Sequence, residues 1–433
     1  MRIHVLVDLA RTPESGGHVK CWERLASAAV ERPDAVDLTV HFSGGPLGLQ
    51  ALSQNVRYVG HSPLLSTACL PFLSHAPDHT DLAPYHPKLA RALAGAELIH
   101  TTDAYFAFAR TALGIARRRG LPLVTSMHTD TPRYARIYAR QAIERLVGCG
   151  RLGRLLNDRL CLPRRAEERM RRLLARHQAA CDYVLVSQPS DRDAASAIVG
   201  AARVGMLRRG VDKRIFAPAR RDRRWLRERL GIPEGQPVLL FVGRIDRGKS
   251  IHVLAEALAG LAAQGIAFHL VCAGRGPDVP LVLARLPGRA SCIGHVASDE
   301  IGRLAASADL LAAPSEVEVL SNVVIEALAS GTPVAVSAKS GMAAHFRPGL
   351  TGIVVDGDEH GLSSAWSAAL EPLLRQPERL AAMAEAVRGQ VAPQLPSWCD
   401  VLDQDLLPIW SRALGRATAP ELGRDAACTA IAS

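Results

Sequence analysis

The chain has 433 residues, 48% hydrophobic and 22% charged, which suits two or three domains of ordinary α/β composition. Its nine cysteines are scattered without a C-x-x-C pair, which argues against a disulfide framework or zinc site and for reduced thiols in a cytoplasm. The net charge is +10, but residues 133–176 hold thirteen arginines and four acids, so +9 of it sits in one segment, unlike a uniformly basic nucleic-acid binder.

Ile3–Val7 reads as a buried strand, Asp8–Gly17 as a loop ending in Gly16-Gly17, and Val19–Val30 as a helix. That order opens a Rossmann-like unit, though the loop is not G-x-G-x-x-G and its glycines also suit a plain tight turn. The N-terminus lacks the shape of a signal peptide, and no window holds 18 uninterrupted apolar residues. A cytoplasmic protein follows, peripheral at most on the inner face of a membrane.

Strands follow at Leu38–Phe42, Val56–Val59 and Glu97–His100, with helices near 86–95 and 105–119. Ser74–Pro87 contains His75, Asp78, His79, Asp81 and His86, but Pro77 and Pro84 break any helix that would present His75 and His79 together. It reads as a polar loop, and no metal site is expected. Strand Leu123–Met127 ends at His128-Thr129-Asp130, where a side chain enters the crevice used by α/β ligands. The bland alternative is that His128 caps the next helix, with Pro132 at its first position.

The arginine-rich segment predicts two or three amphipathic helices. Leu152, Leu155, Leu156 and Leu160 share one face among Arg151, Arg154 and Arg159, and Ala166, Met170, Leu173 and Leu174 repeat the arrangement. Such a face either packs on the domain or lies on an anionic membrane surface, a candidate partner for 133–176. Strand Asp182–Ser187 follows, and Asp191-Arg192-Asp193 opens a helix, where acids suit the dipole. Val204–Arg208 leads toward a proline- and arginine-bearing stretch at 216–224.

A second series of strands, at 238–242, 267–273, 290–293, 309–313, 333–337 and 353–355, alternates with helices and predicts a second doubly wound parallel sheet. The expected domains are 1–205, with an insertion at 133–180, and 206–395; a C-terminal helix at 396–418 and a disordered tail at 419–433 follow.

Gly243–Ser250 spells G-x-x-x-x-G-K-S between a strand and a helix, the pattern of a P-loop NTPase. Against it stand bulky Arg244, Ile245, Asp246 and Arg247 in the loop, and no convincing strand ending in a magnesium-binding Asp. The complete α/β domain ahead of residue 240 would also go unexplained. Pro314–Val334 places Glu318 in a loop and Glu326 about a turn inside a helix capped by Ser321 or Asn322 and stopped at Gly331 and Pro333. A helix N-terminus between two carboxylates suits a phosphate flanked by hydroxyl groups, the outline of a nucleotide sugar; an ordinary capped helix with solvated glutamates is the plain alternative.

Several stretches together resemble the retaining GT-B fold glycosyltransferases of family 4: the E-x7-E region at 318–326, Phe241-Val-Gly-Arg-Ile245 with Lys249, Gly274-Arg-Gly-Pro277, Ile293-Gly-His-Val296 and Gly210-Val-Asp212. The wording around His128-Thr-Asp130 resembles members that glycosylate lipids. The chain departs at Leu320-Ser321, where Phe-Gly or Leu-Gly is commoner, and at Ser250, where glycine is usual. The resemblance implies two Rossmann-like doubly wound domains facing across a cleft. It also implies transfer of a hexose from a UDP- or GDP-linked sugar to an acceptor, a lipid or lipid-linked glycan, with retention. By that likeness Arg244 and Lys249 stabilise the leaving diphosphate without metal or other cofactor, and Glu318 holds sugar hydroxyls. Glu326 would hold the ribose, and His128 would lie beside the reacting carbon. Gly16, Gly17, Val296, Leu320, Ser321, Asn322 and Val323 complete the implied donor site. No nucleic acid partner is expected. A nucleotide-sugar epimerase on the same fold is a further alternative.

Overall fold

Two runs of parallel strands build two separate units, residues 1–209 with 398–415, and 210–397. The computed structural model describes every residue except 14, 70–78, 149, 234, 317–320, 359–360 and 416–433. Glu318, Leu320, His75, Asp78 and the tail 419–433 therefore lie outside the described residues.

The first unit holds β1 (Arg2–Val7), β2 (Asp37–Ser43), β3 (Gly48–Ala51), β4 (Val56–His61), β5 (Leu98–Thr101), β6 (Leu123–Ser126), β7 (Tyr183–Val186) and β8 (Val204–Met206). Their order is β3-β4-β2-β1-β5-β6-β7-β8. All neighbours are parallel except β3, an antiparallel edge on β4. β1 is buried throughout from Ile3, as a strand covered by helices on both faces must be. Ile3, Val5 and Val7 enter one core cluster while Leu6 enters the other, the alternation that a strand imposes. Polar side chains also thread this sheet: His4 Nδ1 lies 2.9 Å from His41 Nε2, and His41 Nδ1 lies 3.0 Å from His61 Nε2.

The boundary expected at 205/206 falls at 209/210, because Arg208 and Arg209 are bonded inside the first unit. The expected separate C-terminal helix is part of that unit as well. Val401, Leu402, Leu406 and Trp410 join the cluster of Ile3 and Val5, and Asp405 takes the Arg208 guanidinium at 2.7 Å.

The second unit holds β9 (Val238–Val242), β10 (His269–Ala273), β11 (Ala290–Gly294), β12 (Leu310–Ala313), β13 (Val334–Ser337) and β14 (Gly352–Val355). All are parallel, in the order β11-β10-β9-β12-β13-β14. Leu239 and Phe241 pack with Leu254, Leu258 and Trp366 on one face, and Leu240 packs with Val324 and Leu328 on the other. Rewritten in unit numbering this is the 3-2-1-4-5-6 order of a dinucleotide-type sheet, whose direction reverses between β9 and β12. Ligands of such sheets sit outside the carboxyl ends of the strands at that reversal.

Candidate functional site

The loops leaving β9, β10 and β11 are laced to one another. Gly243 N–H donates to Ala273 O at 3.0 Å, Ile245 N–H to Arg275 O at 2.9 Å, and Gly274 N–H to Gly294 O at 2.8 Å. Glycine is required at two of these crossings. A Cβ at Gly274 would stand 1.8 Å from Gly243 O, and one at Gly276 2.1 Å from Ile245 O. Val296, after β11, is half-buried on the core of the same unit.

Asp246 organises the loop that carries both predicted cations. Its Oδ2 accepts from Arg244 Nε at 2.8 Å and its Oδ1 from the Lys249 N–H at 3.0 Å, closing a tight turn over Arg247–Lys249. The Ser250 N–H is likewise taken by Arg247 O at 3.1 Å. Ser250 itself has φ 56°, in the left-handed region, and the helix Ile251–Ala263 starts after it. A phosphate cradle needs loop N–H groups left open, so these internal bonds remove the physical basis of a P-loop despite its spelling. Sequence reasoning counted Asp246 only as bulk; its place between Arg and Lys was the available signal.

Across the reversal, the loop after β12 is tied to this one by Ser315 Oγ, which donates to Gly248 O at 3.5 Å. The helix Asn322–Ala329 begins after an extended Ser321, whose side chain makes no cap bond and whose N–H points at Met342 Sδ, 3.0 Å away. Val323 is half-buried on the core. Glu326 is only 7% exposed, so it is not the solvated glutamate of the plain alternative. Gly331, with φ 82°, ends the helix segment. The structure thus brings Arg244, Lys249, Ser321, Asn322, Val323 and Glu326 to one edge of one sheet. Glu318 and Leu320 lie outside the described residues.

A hollow of about 240 Å³ is lined by Arg221, Arg223, Asp309 and Arg388. Asp309 and Pro237 stand at the amino ends of β12 and β9, so this hollow faces away from the reversal's carboxyl edge. Asp309 is already paired with Arg223 at 2.9 Å. The strand topology, not the hollow, locates the site.

In the first unit, Gly16 precedes the helix Gly17–Val30 with φ −68°, and a Cβ there would meet nothing within 4 Å, so no tight turn demands this glycine. His128 is buried, 7% exposed, and stacked on His18 with ring centroids 4.4 Å apart. It is not the helix cap: Asp130 accepts from the Arg133 N–H at 3.1 Å. Arg209 Nη1 lies 3.1 Å from His128 Nδ1, and Trp22 Nε1 lies 3.3 Å from Nε2. Both are obligate donors, and a neutral ring can accept at only one nitrogen. The shorter, charge-assisted contact from Arg209 prevails, so the proton sits on Nε2 and is given to Ser126 Oγ at 2.8 Å. By the same logic Trp410 Nε1 donates to His100 Nδ1 at 3.0 Å, and His100 Nε2–H turns to Ser126 at 2.9 Å. Burial first, then His18 and the Arg209 charge, hold His128 well below the usual imidazole range. It is a neutral imidazole with both nitrogens engaged inside its unit. His18, His100, Ser126, Arg209 and Trp410 were not singled out from the sequence; Trp410 is 310 residues from His100, and no local pattern signals that contact.

At the first sheet's own reversal, between β1 and β5, Asp8 accepts from the Phe108 N–H and Asp103 from the Tyr105 and Phe106 N–H groups. Burial, and for Asp8 the neighbouring Asp103, push both carboxyls up. Of the polar loop, Asp81 holds the Leu64 and Leu65 N–H groups and His86 caps the helix Pro87–Ala92. Among the described residues no group of three or more His, Cys, Asp or Glu is arranged to hold a metal ion.

Residues 222–390 match the sequence model of the family described as glycosyl transferases group 1. The chain is 32% identical over 253 residues to D-inositol 3-phosphate glycosyltransferase of Mycobacterium tuberculosis, covering 55% of this chain and 50% of that protein. It therefore spans about half the length of the curated relatives it matches. The fold is that of sucrose-phosphate synthase from Thermosynechococcus elongatus, with TM-score 0.70 and 18% identity over 96% of this chain and 99% of that one. HepE of Anabaena, solved with UDP-glucose, aligns with TM-score 0.63 and 18% identity over 93% of this chain and 98% of that one. The architecture is GT-B, two parallel-sheet α/β units.

Proposed function

We propose that the protein is a glycosyltransferase that moves a hexose from a UDP- or GDP-linked sugar to an acceptor, with retention of configuration. One observation carries this reading: Arg244, Lys249 and the start of the Glu326 helix stand together at the reversal of the second sheet, inside the stretch that matches the group 1 family. The negative charge on the nucleoside diphosphate grows as the glycosidic bond breaks. Arg244, oriented through Nε by Asp246, and Lys249 answer that charge where it is greatest, so they lower the barrier without a metal. Glu326 takes the ribose and Glu318 the sugar hydroxyls. Asn322 and Val323 present the helix N-terminus to phosphate. The donor phosphate assists attack from the face it leaves. His128, neutral and held by Arg209 and Ser126, lies beside the reacting carbon as a fixed wall and not as a proton donor.

The acceptor is a lipid or lipid-linked glycan. A phosphorylated polyol is the second reading, because the relatives that match are named for D-inositol 3-phosphate. The epimerase alternative would need a cluster of acid and base carboxylates at this edge.

The division of labour is testable with two variants. Glu318→Gln is expected to cripple transfer and leave binding of the free nucleoside diphosphate nearly intact, whereas Glu326→Ala weakens the bare nucleotide as well. Equal loss of free nucleotide binding in both, by calorimetric titration, would overturn the assignment.

A further inference from the structure

Thirteen large hydrophobic side chains are exposed among the described residues, and five of them fall between residues 146 and 160. Leu146 is 69% exposed, Leu152 53%, Leu155 38% and Leu160 39%, with Val147 beside them. They occupy the end of the helix Thr131–Val147, the short helix Arg151–Arg154 and the wide turn Leu155–Arg159, with Leu160 directly after it. The second leucine row behaves otherwise. Met170, Leu173 and Leu174 are half-buried on the helix Leu162–Ala179, against which Thr131–Val147 packs. The segment therefore has a packed base and an unpacked apolar tip.

Charge is compensated in part on the base, where Arg165, Arg169 and Arg176 take no ion pair among the described residues, and not at all at the arginines of the tip. On the base, Arg136 and Arg171 pair with Glu167, Arg140 with Glu144 and Arg164 with Glu168. At the tip, Arg151, Arg154 and Arg159 are exposed and take no ion pair among the described residues, with Asp158 the single acid over 146–160. Uncompensated cations interleaved with exposed leucines fit a surface that offers anions and hydrocarbon together. A polyanion would use the arginines and leave the leucines in water.

We propose that the exposed side chains over 146–148 and 150–160 form a membrane-docking tip: Arg151, Arg154 and Arg159 seat on anionic lipid headgroups, while Leu146, Leu152, Leu155 and Leu160 enter the acyl boundary. The attachment is peripheral. No helix among the described residues is long and apolar enough to cross a membrane. Docking does not depend on the donor chemistry, because it is read without nucleotide or turnover.

The test is cosedimentation of the full chain with vesicles of phosphatidylcholine alone or mixed with phosphatidylglycerol, at low and high salt. Binding to the mixed vesicles, weakened by salt, is expected, with little to the neutral ones. Replacing Arg151, Arg154 and Arg159 together by Glu should weaken it on the order of a hundredfold, given a roughly fivefold contribution from each arginine. Replacing Leu152, Leu155 and Leu160 by Ser should weaken it roughly tenfold or more. All six side chains are exposed, so an unchanged melting temperature checks that both variants fold. A wild type that ignores anionic vesicles at low salt overturns the proposal. So does a leucine variant that binds as well as wild type, which makes the contact charge alone, or a leucine-dependent dimer in sedimentation velocity, which makes the partner a second copy.

Discussion

Ser250→Gly should make the second unit slightly more stable and leave nucleotide binding unchanged. Ser250 sits at φ 56° and ψ 27°, a conformation that costs an L-residue about 1–2 kcal/mol. Its side chain makes no cap hydrogen bond to the helix it precedes, so removing it forfeits no contact of that kind. Glycine relieves the strain but gives back about 0.5–1 kcal/mol through the freedom of the unfolded chain. The net expectation is a gain of roughly 0.5 kcal/mol, or about 1–2 °C in Tm for a unit of this size. Ser250→Val bounds the other side and should destabilise by about 1 kcal/mol or more, because a branched side chain tolerates this region worst. Calorimetry of the full chain, fitted as two transitions because there are two units, reads both variants against wild type. If Ser250 were instead a magnesium-holding P-loop serine, Ser250→Gly would abolish magnesium-dependent nucleotide binding. That loss, or a clear destabilisation by glycine, would refute the reasoning.

Arg244→Ala and Lys249→Ala should each lower turnover by more than they weaken donor binding, because their charge partner is largest in the transition state; rates within a factor of two of wild type would remove the diphosphate role. Acid should weaken the first unit through its many buried imidazoles, against which the raised carboxyls of Asp8 and Asp103 act in the opposite sense. His4 and His61 are lowered to about 4, chiefly by burial, against 6.5 in the unfolded chain, so the unfolded state binds protons first. Their stabilisation is complete above pH 6.5 and is lost as pH falls toward 4, at up to about 1.4 kcal/mol per pH unit for each imidazole. Urea midpoints at pH 7, 6 and 5 should fall steadily, and a flat profile would contradict the buried neutral row.

Much of this architecture is legible in the sequence because parallel strands buried on both faces leave continuous apolar runs such as Val238–Val242. The edge strand Gly48–Ala51 leaves none: all four residues are exposed, so no apolar alternation marks its pairing with β4. The loops at the carboxyl edge of the second sheet announce themselves through glycines, and the structure supplies the reason at Gly274 and Gly276, where a Cβ would strike a carbonyl of the neighbouring loop. What pattern could not give was distance. The Asp405–Arg208 pair and the Trp410–His100 bond join residues 197 and 310 positions apart, so the C-terminal helix read as a separate element rather than part of the first unit. The leucines at 152, 155 and 160 had the spacing of a packing face, and only their exposure separates a core stripe from an open one.

Calorimetric titration of the wild-type chain with UDP, GDP, ADP and ATP, each in chelator and in magnesium, addresses the donor site most directly. A nucleotide-sugar transferase whose cations come from Arg244 and Lys249 should bind UDP or GDP, and keep that binding in chelator. Preference for ATP that appears only with magnesium would contradict the account and restore the P-loop reading of Gly243–Ser250.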